Sequence, residues 1–218
     1  MEPRVENGGS ALIKKDGANL LTPLKQHSTK RYIMGTRGLM GVRVDGVDKL
    51  TYNHWDSYPS ALGEDILEYL KTVDIDEEAE KARSLRLVQE DDRPTTVDIE
   101  KYKQYCNLKV GEKSAKTWYC LLRELQGKLH QTMLAGVMID SHEFINDSLF
   151  CEWAYVVNFD ERVLEVYKGF QREPHAKGRY ASAVCSPEQG YYPCALIKEF
   201  SLNDLPKNLT ELYEGKDE

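Results

Sequence analysis

Apolar Met40, Val42 and Val44 alternate with Gly41, Arg43 and Asp45, the two-residue period of a strand with one buried face. Asp45-Gly46 follows, a pair that readily takes the left-handed dihedrals of a tight hairpin turn. Residues 47–53 read as the returning strand, and Ser57-Tyr58-Pro59 ends it, because proline has no N–H to give a ladder. A second hairpin is predicted further on. Trp153, Tyr155, Val157 and Phe159 alternate along residues 150–159, Asp160-Glu161 marks the reversal, and residues 163–167 return. A last strand is expected over 195–200.

Between the hairpins the period changes to that of helices. Leu62, Ile66, Leu70 and Val73 recur every three or four positions, predicting a short helix with one apolar face. Residues 77–89 read as a second, heavily charged helix. Asp91-Asp92-Arg93-Pro94 breaks it, and Thr95 or Thr96 caps a third helix that runs to Tyr105. The strongest pattern spans 114–135, where Trp118, Leu121, Leu122, Leu125, Leu129 and Met133 form a stripe between Ser114, a good N-cap, and Gly136. A long surface loop is predicted over 171–192, and a short terminal helix after the Leu202-Asn203-Asp204-Leu205-Pro206 turn. Hairpins separated by a helical block give an α+β class: an antiparallel sheet of two hairpins plus a last strand, packed against helices.

Composition narrows the class of partner. In 218 residues, 41% are hydrophobic, enough for a core, and 29 Lys and Arg against 36 Asp and Glu leave a net charge of −7. That balance disfavours nucleic acid. No apolar run approaches the ~20 residues of a membrane span, and the N-terminus lacks the apolar stretch of a signal peptide, so a cytoplasmic protein is expected. Residues 1–31 carry scattered lysines and glycines without periodicity and read as a flexible extension ahead of a single domain over 32–218. Five cysteines without a CxxC pair indicate reduced thiols; a zinc site from Cys185, Cys194 and His175 is disfavoured by their wide spacing. No metal or other cofactor is expected.

One polar stretch stands out. Thr51-Tyr52-Asn53-His54-Trp55-Asp56-Ser57-Tyr58-Pro59 places an amide, an imidazole and a carboxylate at a strand end, where irregular backbone can direct side chains into a pocket. Met34-Gly35-Thr36-Arg37-Gly38 opens the partner strand, so folding back at Asp45-Gly46 brings Thr36 and Arg37 beside Asn53, His54 and Asp56. These five residues are the candidate site. The structural alternative makes Asp56 and Ser57 helix caps or an Asx turn, Tyr52 and Trp55 core, and His54 an ordinary surface residue. Cys151 with His54 and Glu152 offers another nucleophile, although a cysteine heading an apolar strand is usually inert. Gly35, Gly38 and Gly41 lie within a strand and do not form a phosphate-binding loop.

The segment from Gly35 to Pro59 resembles the N-terminal nucleophile hydrolases, particularly their proteasome-subunit and choloylglycine-hydrolase branches. Gly35-Thr36 looks like the junction at which proteasome subunits cleave themselves. The resemblance implies Thr36 as nucleophile with its freed α-amine as base, Arg37 orienting substrate, Asn53 donating to the oxyanion and Asp56 fixing the ammonium. Such a role requires removal of the 35 residues ahead of Thr36. A pattern TRG…YNHWDSYP…LG with LFCEWAYVV…LEVY, over most of 35–170, also resembles uncharacterised phage and bacterial proteins. The expectation is an amide hydrolase acting on a small molecule or peptide; its rival is a non-enzymatic interaction module in which the polar cluster is structural.

Overall fold

A computed structural model describes residues 35–183, 190–209 and 212. Two strands, β1 (Gly38–Val44) and β2 (Val47–Asn53), form the first hairpin, with Asp45 and Gly46 at φ 51° and 77° in the turn. Their register runs from Val44 opposite Val47 to Gly38 opposite Asn53. After a single π-helical turn at Pro59–Gly63 come α1 (Glu64–Leu70) and α2 (Ile75–Ser84). Further along lie β3 (Arg86–Val88), α3 (Thr96–Tyr102), α4 (Trp118–Leu121), α5 (Leu129–Ala135) and β4 (Val137–Ile139). The second hairpin, β5 (Trp153–Asn158) and β6 (Val163–Lys168), precedes β7 (Ala195–Ser201).

The α+β class holds. Five strands form one sheet in the order β2-β1-β5-β6-β7. Both hairpins and the last strand lie in it, but the two hairpins join through a parallel pairing of β1 with β5, so the sheet is mixed and mostly antiparallel. This junction makes β1 a central strand. Its residues are buried on both faces apart from partly exposed Arg43.

Each face has its own core. Met40, Val42, Tyr155, Val157 and Leu164 pack under Ile66, Leu67, Ala82 and Met133 from the helices. Leu39, Leu50, Ala154, Val156 and Tyr167 form the opposite face with Ile145, Cys151 and Cys194. A third cluster gathers Trp118, Leu121, Leu122 and Leu125 around the small parallel sheet of β3 and β4.

Two expectations need correction. The stripe over 114–135 is buried throughout, yet the backbone is broken into α4, a 3-10 turn at Arg123–Leu125 and α5. Gly127, at φ 74°, turns the chain between them. The helix expected over 77–89 ends at Ser84, because Leu85 is extended and Arg86 to Val88 pair with β4. Capping accounts for the starts of two helices: Asp74 accepts from the Asp76 and Glu77 N–H groups, and Thr95 and Asp98 form a reciprocal capping box. The proposed extension over 1–31, Cys185 of the suggested zinc set and most of the expected terminal helix lie outside the described residues. Among the described residues, no group of three or more His, Cys, Asp or Glu could hold a metal ion, and no helix is long and apolar enough to cross a membrane.

Candidate functional site

The antiparallel register sets the two ends of the first hairpin side by side. Gly38 stands opposite Asn53, and just beyond the ladder the Ser57 N–H donates to the Thr36 carbonyl at 3.0 Å. Asn53 is only 5% exposed, and its Nδ2 donates to the Trp55 carbonyl at 2.5 Å and to Ser57 Oγ at 2.8 Å. Both amide protons of Asn53 are thus taken within the loop, and neither remains for an oxyanion. Ser57 is fully buried, and its carbonyl accepts the Tyr155 hydroxyl at 3.0 Å. Asn53 and Ser57 therefore brace the loop against the sheet.

Burial, followed by the nearby Arg123 and Arg37 guanidinium groups, lowers the His54 pKa below its usual value. Burial raises that of Tyr52. Near neutral pH the Tyr52 hydroxyl therefore keeps its proton and the imidazole is neutral, and the two share a hydrogen bond of 2.8 Å between Tyr52 Oη and His54 Nδ1. Arg37 donates its backbone N–H to Glu152 Oε1 at 3.3 Å and lays its guanidinium 4.4 Å from the Phe150 ring centre. Burial raises the Glu152 carboxyl pKa. Cys151 is fully buried, its thiol pKa raised by that burial and then by Cys194, and its sulfur lies 3.7 Å from the Trp153 carbonyl. His54 Nδ1 faces Tyr52, so the Cys151–His54 arrangement has no hydrogen bond through that nitrogen.

Asp56 faces elsewhere. It holds a left-handed φ of 52°, which Asp tolerates better than most residues, and its carbonyl accepts the Leu62 N–H at 3.2 Å. Its carboxylate caps neither the π turn nor α1, whose N-terminal residues show no side-chain cap. Asp56 Oδ1 is buried without a hydrogen-bond partner. Such a group ordinarily costs about 1–3 kcal/mol, so it calls for a reason.

Asp56 lines a cleft of about 500 Å³ between the tail of the first hairpin, the start of α1 and the 123–128 segment. Trp55, Asp65, Arg123 and Lys128 line it too, whereas Thr36, Arg37 and His54 do not. Burial raises the Asp65 carboxyl pKa. Trp55 is 52% exposed at the rim, and its indole rests so closely on Gly35 that a Cβ there would fall 2.5 Å from the ring. The structure thus brings the five predicted residues together as neighbours but divides them: Asn53 and Asp56 line the cleft, Asn53 with its amide protons spent on the loop, while Thr36, Arg37 and His54 lie outside the lining. Sequence reasoning missed Asp65, Arg123 and Lys128. Arg123 and Lys128 were absorbed into the apparent long helix, and the lone Gly127 was the signal that could have exposed them.

No protein-family model, no curated protein and no solved structure matches this chain. The reading of the cleft therefore rests on its own chemistry.

Proposed function

We propose that the protein is a binding module whose cleft holds a small molecule presenting N–H donors to Asp56 and Asp65, with the Asn53–Ser57 brace serving a structural role. The observation that carries this reading is the buried, unpartnered Oδ1 of Asp56 in a residue lining the cleft. A ligand N–H would satisfy it. Asp65 in the first turn of α1 supplies a second acceptor in the same lining, and the cleft volume lies within the 300–1,000 Å³ of small-molecule sites.

The test uses the rim indole as its reporter. Putrescine, arginine methyl ester and guanosine are titrated against tryptophan emission, with Trp55→Phe to assign the signal. At least one should change the emission, and Asp56→Asn should weaken that binding about tenfold or more, as expected when an ionised acceptor becomes a neutral amide. Asparagine tolerates the left-handed backbone, so the variant should fold as the parent does. Absence of binding by all three, or binding indifferent to Asp56→Asn, contradicts the reading.

A second reading, amide hydrolysis by Thr36, draws support from the compact unit that begins at Met34, two residues ahead of it. Intact mass decides it. A product beginning at Thr36 favours the hydrolase, and a full-length chain that binds ligand favours the module.

A further inference from the structure

We infer that the ligand of this cleft is a purine nucleoside monophosphate, its base stacked on Trp55 with its N–H edge on Asp56, and its phosphate on Arg123 and Lys128. This inference rests on the binding-module reading and adds the identity of the ligand class. Three features of the lining carry it together. The first is a half-exposed indole in the lining that is already oriented: Trp55 packs against Gly35, and its ring and that of His54 stand perpendicular with centroids 4.3 Å apart. A platform held in place suits a planar heterocycle, since every nucleobase offers a π face.

The second feature is the acceptor. Asp56 and Asp65 line the same cleft, and neither has an ion-pair partner among the described residues. A carboxylate accepts two parallel N–H bonds, and among the common bases guanine presents two adjacent donors, ring N–H and exocyclic amine, on one edge. The third is a cation. Arg123 donates to the Gln126 side chain and sits 5.3 Å from the centre of the Tyr119 ring, with no carboxylate partner among the described residues, which leaves guanidinium donors for an anion. Lys128 also lines the cleft, in a half-exposed ion pair at 3.9 Å with Glu124, a third carboxylate of the lining, which an incoming phosphate would share or displace. Rim acidity limits the anionic charge the cleft can take, which favours a single phosphate over a triphosphate. A diamine would use the carboxylates and leave Arg123 idle; inorganic phosphate would use Arg123 and leave Asp56 unpartnered. Only a ligand with a ring, N–H donors and an anion engages all three.

Calorimetric titration of the full-length protein with guanosine monophosphate, guanosine, inorganic phosphate and putrescine tests it. Guanosine monophosphate should bind at least tenfold more tightly than guanosine or phosphate. Asp56→Asn and Arg123→Met should each weaken it tenfold or more, with thermal denaturation showing both variants folded. Arg123→Lys, which keeps the charge, should recover part of the loss, and Trp55→Leu should remove most of the preference for nucleotide over phosphate. Equal binding of nucleotide and nucleoside, or nucleotide binding untouched by Asp56→Asn and Arg123→Met, overturns the inference. Putrescine binding that depends on Asp56, with no gain for the nucleotide, also overturns it while leaving the binding-module reading intact. No binding by any of the four overturns the inference, and no binding by arginine methyl ester as well overturns both.

Discussion

Lys49 shows how a single side chain can do what a sequence pattern assigns to solvent. In β2 it occupies a position that alternation reads as polar and outward, yet it is only 9% exposed. Its ammonium donates to the carbonyls of Ala82, Arg83 and Leu85 at 2.8, 3.0 and 2.8 Å, capping the C-terminal end of α2, where Ala82 also accepts the Leu85 N–H. Burial lowers the Lys49 pKa, but three charge-assisted bonds reward the charged form. Lys49→Met should therefore cost about 2–3 kcal/mol of folding stability in denaturant titration, most of it from carbonyls left unpaired. A loss below ~0.5 kcal/mol would mean that water reaches this helix end. The pairing of Lys49 with residues more than thirty positions away has no local signature, which is why spacing alone cannot reveal it. Asp56 is a comparable case. The Thr51 to Pro59 stretch announces polar chemistry, but only the fold shows that Asn53 spends its amide protons on the loop while Asp56 keeps an unpartnered acceptor in the same cleft.

Among the elements, local rules succeed wherever the determining residues are adjacent. Asp45-Gly46 dictates the first hairpin, and Thr95 with Asp98 dictates the start of α3. They fail where two elements meet at long range. The strands β3 and β4 are three residues each and find one another across some fifty positions, and the parallel β1–β5 junction follows from no turn. The 114–135 segment lies between these cases: its stripe is truly core, while its backbone is not one helix. Gly127 makes the difference, because at φ 74° any side chain is strained and a Cβ would stand 2.9 Å from Asn53 Oδ1. Gly127→Ala should destabilise the protein by about 1–3 kcal/mol. It should also weaken ligand binding, since Gly127 and Asn53 both line the cleft. Unchanged stability would show that the segment can close into a continuous helix.

Across the whole molecule, a buried polar network ties the second face of the sheet to the 171–183 stretch. Arg179 pairs with Asp48 at 2.7 Å and with Glu165, donates to the Tyr167 hydroxyl at 3.0 Å, and packs over the Tyr180 ring at 4.6 Å. Burial raises the pKa of Tyr167 and of Tyr180, and on the other face it does the same for Tyr69, whose hydroxyl also donates to Glu78. A tyrosine with a raised folded pKa holds its proton after the unfolded chain has lost its own. The stability it confers is intact below the unfolded value of ~10 and declines as pH rises beyond it. Chemical denaturation between pH 8 and 11.5 should therefore show a plateau followed by a fall above about pH 10, shallower in Tyr167→Phe; a flat profile would mean these hydroxyls ionise freely in the folded protein. The long loop suspected from its Pro and Gly content is thus anchored, over its described residues, by an arginine that composition could not single out.

The central claim is that the function resides in the cleft beside Asp56, and mapping of backbone amide and indole shifts on adding guanosine monophosphate to the full-length protein addresses it most directly. The account predicts saturable shifts concentrated at Trp55, Asp56, Asp65, Arg123 and Gln126. Shifts gathered instead in the cleft of about 680 Å³ beside Asp140, Ser141 and His142, or none at millimolar ligand, would contradict it.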